Sequence, residues 1–126
     1  MLSTAIDLCK SVIDIIFKNR QIQHDKKLRI GVLLGEISKI LEDTADKLSK
    51  DEYPHLNCAL MERMCDNLYL YVKDIVPEDQ SKSLIKTLKE ASQVEKQFAI
   101  RSEKNTIPSI YQAAGEFKAL GLLLKS

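Results

Sequence analysis

Apolar residues recur every three or four positions along most of this chain, which is the spacing of one face of an α-helix. No stretch shows the sustained alternation of a β-strand. Pro54, Pro77 and Pro108 each open a new apolar run, and proline suits the first helical turn because no N–H is needed there. The pattern predicts an all-α protein, a helical bundle of four to five helices that forms a single domain over residues 1–126.

The first helix is predicted from Ser3 to Arg20, with Ser3 or Thr4 as its N-cap. Its polar residues form only a narrow stripe, and the rest of its surface is apolar. A helix on the surface of a globular protein normally shows a smaller apolar arc. We therefore expect this helix to need neighbours on two sides, and residues 1–20 are a candidate interaction helix.

The second helix is predicted to end near Leu48. Residues 19–27 are polar but contain no Gly or Pro, so they either link two helices or continue one long helix. Gly31 and Gly35 lie inside the second helix, where each glycine costs about 1 kcal/mol relative to alanine. They indicate either a close crossing with another helix, in this subunit or in another, or a tolerated irregularity near the helix start. The residues of its apolar seam are Ile30, Leu33, Leu34, Ile37, Ile40, Leu41, Ala45 and Leu48.

Helices three, four and five are predicted to begin at the three prolines, with a loop over residues 101–106 before the last one. In helix three the predicted seam is Cys58, Met61, Cys65, Leu68, Val72 and Ile75, with Leu60, Met64 and Tyr71 beside it. In helix four the predicted seam is Leu84, Leu88, Ala91, Val94 and Phe98. Helix five carries Ile110, Tyr111, Ala114, Phe117 and the run from Gly121 to Leu124.

Composition narrows the function classes. The 126 residues carry a net charge of +1, whereas general nucleic-acid affinity requires a concentrated basic face, so no nucleic-acid partner is expected. The sequence contains no run of eighteen apolar residues, which a transmembrane helix would need, so no transmembrane helix is predicted. Asp7, Lys10 and Asp14 interrupt the apolar start of the chain, which argues against a secretory signal.

The cysteines indicate a reducing compartment. Cys58 and Cys65 are seven residues apart on one predicted helix, about 10 Å along its axis and beyond the reach of a disulfide. With Cys9 they make an odd count. We expect three reduced, mostly buried thiols in a cytoplasmic protein.

Candidate chemistry is sparse. His55, Cys58 and Cys65 could ligate zinc, but strong zinc sites present two close ligand pairs and this chain has no second pair. Cys58 near a helix start, with His55 beside it, could be a nucleophile, although its position on the seam favours a buried, inert thiol. Phosphate-binding loops, dinucleotide fingerprints and nucleophile elbows are absent from the sequence. The prediction is a non-enzyme with no catalytic residues, metal or cofactor.

The segment from Glu52 to Leu60, with the sequence EYPHLNCAL, follows a helix of the kind found at residues 37–48. Together they resemble uncharacterised bacterial helical accessory domains, similar to effector-associated domains, that contain a Tyr-Pro-His-x-x-Cys segment. The resemblance covers roughly residues 26–98. It implies an adaptor or self-association role in a signalling or defence system and supplies no catalytic residues. In physical terms, Pro54 would set the turn, and Tyr53 and Cys58 would anchor it to the core.

The leading hypothesis is a protein–protein interaction module whose partner is another copy, as a homo-oligomer, or another chain. The alternative is a peripheral membrane protein anchored by helix one, although its polar stripe carries Asp7 and Asp14 where interfacial helices favour Lys and Arg. A small helical enzyme is the third option. The predicted interaction residues are Leu8, Val12, Ile15, Ile16, Gly31 and Gly35.

Overall fold

A computed structural model describes residues 2–19, 21–22, 24–91 and 106–125. Within these ranges the chain forms α-helices and no strand, which confirms the all-α bundle. The predicted seam positions Val94 and Phe98, the side chain of Ala91, and residues 101–105 of the predicted loop lie outside the described part. The described helices are α1 (Leu2–Lys18), α2 (His24–Ser49), α3 (His55–Val72), α4 (Glu78–Ala91) and α5 (Ile107–Lys125).

The polar joint after the first helix is a turn, so α1 and α2 are separate helices. Asn19 accepts a hydrogen bond from the backbone N–H of Gln21 on its side-chain oxygen, at 3.0 Å. Its carbonyl oxygen accepts a second one from the N–H of Ile22, at 3.4 Å. Asparagine offers the backbone a local alternative to helical hydrogen bonds. The turn therefore forms without glycine or proline.

The three prolines stand at helix starts, as the sequence predicts. Pro54 and Pro77 directly precede α3 and α4, and Pro108 is the second residue of α5. The carbonyl oxygen of Pro77 accepts the N–H of Ser81 at 3.0 Å, which is the first hydrogen bond of α4. Glu78 and Asp79 occupy the first turn of that helix, where carboxylates interact favourably with the helix dipole.

The antiparallel pair α2 and α5 forms the centre of the bundle. Gly31 lies against Gly121, and the hydroxyl of Ser38 donates to the carbonyl oxygen of Ala114 at 2.6 Å. Nearer the end of α2, Tyr111 donates to Asp46. Helix α3 packs on the other side of α2, and α4 packs against α3 and α1.

Helix α1 completes the core because it packs against both α4 and α5. Its C-terminal turn lies beside the start of α2, where the Lys27 ammonium is 5.8 Å from the centre of the Phe17 ring. The end of α5 also lies at the start of α2, so α1 and α5 run in the same direction. The largest fully buried side chains are Phe117, Ile16, Ile30, Leu34, Ile37, Leu48, Leu68, Leu84, Leu88, Ile110, Leu124 and Val72.

Candidate interaction surface

The four residues of α1 predicted to form an interaction surface pack inside this chain. Val12 and Ile16 are buried in the core, and Leu8 and Ile15 are half-buried and packed against it. The wide apolar arc of α1 is accounted for physically by its two neighbours, α4 and α5. None of these side chains belongs to the exposed surface described below.

The two glycines of α2 differ in their surroundings. Gly31 lies at a close helix crossing, which is one of the two alternatives that the sequence leaves open for this glycine. The helix that crosses α2 there is α5 of the same chain. A Cβ built on Gly31 would be 2.8 Å from the carbonyl oxygen of Gly121. A Cβ built on Gly35 would be 3.8 Å from the Lys125 Nζ, which is an ordinary contact distance. Neither glycine lies on an exposed apolar surface.

The residues considered for metal binding or nucleophilic catalysis occupy unlike environments. Burial raises the pKa of Cys9 and of Cys65 to about 12, so both thiols stay protonated at neutral pH. Cys58 is half-buried in the first turn of α3. The His55 ring stacks on Tyr53, with ring centres 5.4 Å apart. Among the described residues, no cluster of three His, Cys, Asp or Glu side chains is arranged to hold a metal ion.

Polar contacts around Asn57 join α3 to α2. This amide is buried, and its NH₂ group donates to the Thr44 hydroxyl at 2.8 Å, the Asp43 carboxylate at 3.0 Å and the Ile40 carbonyl oxygen at 3.3 Å. Its oxygen accepts from the Lys47 Nζ at 3.2 Å. A buried amide with satisfied hydrogen bonds fixes the start of α3 in one position, because leaving these groups unpaired is costly.

Asn57 and its hydrogen-bond network support the candidate surface described below, and sequence reasoning missed them. The core positions of α3 are Asn57, Met61, Cys65, Leu68 and Val72, whereas the apolar pattern selects Cys58 as the first of them. The sequence signal for this network was the spacing, because Asn57 lies four positions before Met61 and therefore on the same face of the helix. Cys58 is consequently rotated to the edge of the core.

Tyr53 does not anchor the turn to the core, contrary to the physical interpretation of the Tyr53–Cys58 segment. It is 55% exposed and stacks on His55 at the surface, whereas Pro54 is buried. A phenol ring that precedes a helix start and stacks on a neighbouring side chain can remain solvent-accessible without unsatisfied polar groups. The turn is held by Pro54 and Asn57.

The start of α3 displays an apolar surface, which we call the α3 patch and define as Tyr53, Leu56, Ala59 and Leu60. All four residues are exposed, and Leu56 is 64% exposed. By contrast, the exposed stripe of α1 is largely polar; it consists of Ser3, Thr4, Asp7, Lys10, Ser11, Asp14 and Lys18, with Phe17 as its one apolar residue. The periodicity of α3 did not reveal the α3 patch, because a leucine beside a seam is ordinarily assigned to the core.

A groove of about 560 Å³ lies between α3 and α4. Tyr69 and Ile85 contribute apolar surface to it, and Asp66 and Lys89 form an ion pair across it at 2.7 Å. The hydrogen bond from Lys89 to Asp66 raises the pKa of the Lys89 ammonium, so this lysine is charged at neutral pH. The groove can accept an apolar side chain between charged rims.

The described helices include none that is long and apolar enough to cross a membrane. Comparison with known proteins gives no match: no protein-family model fits this chain, no curated protein is significantly similar to it, and no solved structure matches it. The resemblance of residues 26–98 to bacterial accessory domains stays a prediction.

Proposed function

We propose that this chain is a non-enzymatic self-association module whose copies bind through the α3 patch. The observation that carries the proposal is the exposure of Leu56 on a helix whose start is held in place by buried groups. Fully burying a leucine contributes about 1.5–3 kcal/mol. Leu56 and Leu60 are one helical turn apart and present a single apolar surface to a partner.

Rigidity of the α3 patch supports the same function. Pro54 is buried immediately before α3, and Asn57 is bound to three residues of α2 by its NH₂ group. A contact surface that is already ordered loses little conformational entropy on binding. The side chains beside Asn57 are therefore displayed in a fixed geometry, as expected of a preformed binding surface.

The charge of the chain is compatible with copies as partners. A net charge of +1 produces little repulsion between identical molecules, and proteins near zero net charge associate more readily than strongly charged ones. Polar groups of α2 that face the start of α3 are engaged in structural contacts: Asp43 pairs with Lys47 at 3.2 Å and accepts from Asn57. These contacts support a structural role for the polar groups here.

The experiment is sedimentation velocity of the wild type from micromolar to millimolar concentration, compared with Leu56→Glu. We expect concentration-dependent association that Leu56→Glu weakens about 30-fold, which corresponds to about 2 kcal/mol. The matched control is Leu70→Glu, because Leu70 is on the same helix, outside the patch, and 57% exposed. Circular dichroism verifies that both variants are folded. A wild type that stays monomeric, or equal losses in both variants, would contradict the proposal.

A further inference from the structure

Arg63 lies at the C-terminal edge of the α3 patch. It follows Leu56 by seven residues and Ala59 by four, so the three side chains leave α3 on the same face. Arg63 is exposed, and its guanidinium forms no ion pair within the described part of the chain. The apolar surface of the patch therefore ends on a cation without a counter-ion there.

The carboxylates nearest to Arg63 on α3 belong to a different surface. Glu62 and Asp66 line the groove between α3 and α4. Asp66 is paired with Lys89 across that groove, at 2.7 Å. The lining of the groove includes neither Arg63 nor the residues of the α3 patch. The two acidic side chains are therefore directed towards α4, and Arg63 carries the charge at this edge of the patch.

Glu52 lies at the opposite edge of the α3 patch, directly before Tyr53. Its backbone is held in place, because its N–H donates to the carbonyl oxygen of Lys47 at 2.8 Å. Its carboxylate is exposed and has no ion pair among the described residues. The two exposed charges that precede it in the turn, Lys50 and Asp51, are of opposite sign. The patch thus extends from an acidic residue at one edge to a basic residue at the other.

We propose that two copies bind through their α3 patches as an antiparallel pair, in which Arg63 of each copy contacts Tyr53 and Glu52 of the other. This inference rests on the proposed self-association. The two-fold axis passes between Leu56 and Leu60. Residues equally far from the axis on either side then lie opposite each other, so Leu56 meets Leu60 of the partner subunit. Arg63 likewise meets Tyr53 of the partner subunit, with Glu52 of the partner subunit beside it.

Each position of this arrangement joins groups that attract one another. Tyr53 is 55% exposed, and an arginine is stabilised by an aromatic ring and a carboxylate close to its guanidinium. Ala59 is exposed next to the axis, where its small side chain permits the two helices to approach closely. A parallel pairing would instead place Arg63 beside Arg63 and Glu52 beside Glu52, which is unfavourable. The antiparallel pair makes every contact twice and closes at two copies.

The test is charge exchange followed by sedimentation velocity. Arg63→Glu and Glu52→Arg should each weaken association about tenfold, because each variant places two pairs of like charge in contact with its own copy. An equimolar mixture of the two variants should regain the wild-type affinity to within about threefold, since both pairs are of opposite charge in the heterodimer. The matched control is Arg29→Glu, at an exposed position of α2, which should leave association unchanged. Circular dichroism again verifies folding.

The mass of the assembly is a second readout, and the outcomes separate the two proposals. The wild type should level off at twice the mass of one chain up to millimolar concentration, and larger species would contradict a two-fold contact. If the mixture associates as weakly as either variant alone while Leu56→Glu still weakens the wild type, the antiparallel contact is wrong and self-association through the α3 patch stands. A wild type that is monomeric at every concentration overturns both proposals.

Discussion

Gly31 and Gly121 lie opposite each other where α2 crosses α5, and a Cβ built on either one would be 2.8 Å from the carbonyl oxygen of the other. The obstacle is backbone on both sides, so a methyl group can be accommodated only by separating the helices. Such close approach also permits Cα–H···O contacts between the two helices. The glycines therefore determine how closely the central pair packs.

The first prediction concerns this crossing. Gly31→Ala and Gly121→Ala should each lower the free energy of unfolding by about 1–2 kcal/mol, since overpacking costs about 1–3 kcal/mol and the gain in helix propensity returns up to about 1. Thermal denaturation followed by circular dichroism measures the change.

The control is Gly115→Ala, because within the described part of the chain no atom beyond the adjoining residues and backbone of α5 lies within 4 Å of a Cβ built at this exposed position. Only the propensity gain operates there, so stability should rise by about 0.5–1 kcal/mol. If alanine has the same effect at residues 115 and 121, the tight crossing does not exist in solution.

Local rules of sequence predict the helices well but not every contact between them. Prolines and periodicity place the starts of α1, α3, α4 and α5 within two residues but leave the start of α2 open, and Ile30, Leu34 and Ile37 are buried as predicted. The role of Gly31 was undecidable because its partner, Gly121, is ninety residues away in sequence. A three-and-four pattern also gives no information about which helices flank α1.

Exposure is the other property that the pattern cannot supply. Leu56 and Cys58 are one residue to either side of Asn57, and the rotation of α3 is set by the hydrogen bonds of Asn57 to α2 together with the burial of the core residues that follow it. That rotation exposes Leu56 and places Cys58 at the core edge. An amphipathic pattern assigns a leucine beside the apolar seam to the core, so only the contacts between helices reveal the candidate surface.

The second prediction concerns Asn57 and Asp43. The hydrogen bond from Asn57 is the main cause that lowers the pKa of Asp43, followed by the hydrogen bond from Lys47. Asn57→Ala should therefore raise the pKa of Asp43 towards its ordinary value, as carbon-detected NMR titration would measure. The same variant should lose about 1–3 kcal/mol of stability, because buried partners are left unsatisfied.

The sign of the pH dependence follows from the lowered pKa. Asp43 stabilises the folded state at pH values above the ordinary carboxyl pKa of about 4, and this contribution is lost as the pH falls through its folded-state pKa. The stability difference between wild type and Asp43→Asn should shrink in that acidic range. Asn67→Ala, at a half-buried position of α3, is the control and should leave the titration of Asp43 unchanged.

The third prediction concerns the end of α2. Asp51 has a φ of 58°, and the N–H groups of Asp51 and Glu52 donate to the carbonyl oxygens of Leu48 and Lys47 at 3.2 and 2.8 Å. This is the hydrogen-bond pattern of a Schellman C-cap, in which glycine is preferred. Asp51→Gly should be more stable than Asp51→Ala by about 1 kcal/mol. Both variants lack the carboxylate, so urea unfolding of the pair isolates the backbone effect; equal stabilities would contradict it.

The fourth prediction concerns the thiols. Because burial raises the pKa of Cys9 and Cys65 to about 12, a thiol reagent at about pH 8 should find almost no thiolate at these sites. Half-buried Cys58 should react first in the native protein, as mass spectrometry of the labelled peptides would show. In denaturant all three should react at similar rates. Native labelling of Cys9 as fast as that of Cys58 would mean that α1 is not packed as described.

The last prediction concerns α1 and separates its roles. Leu8 and Ile15 are half-buried against the core, so Leu8→Glu and Ile15→Glu should each lower the free energy of unfolding by about 2 kcal/mol or more, because a carboxylate is forced into an apolar contact. Ser11→Glu, on the exposed stripe of the same helix, should change it by less than about 0.5 kcal/mol. Urea unfolding measures all three. If Ile15→Glu were instead fully stable and converted an associating wild type into a folded monomer, the contact between copies would lie on α1 and not on α3. If it kept its stability but lost flotation with vesicles, α1 would be a membrane anchor. The packing of α1 between α4 and α5 makes loss of stability the expected result.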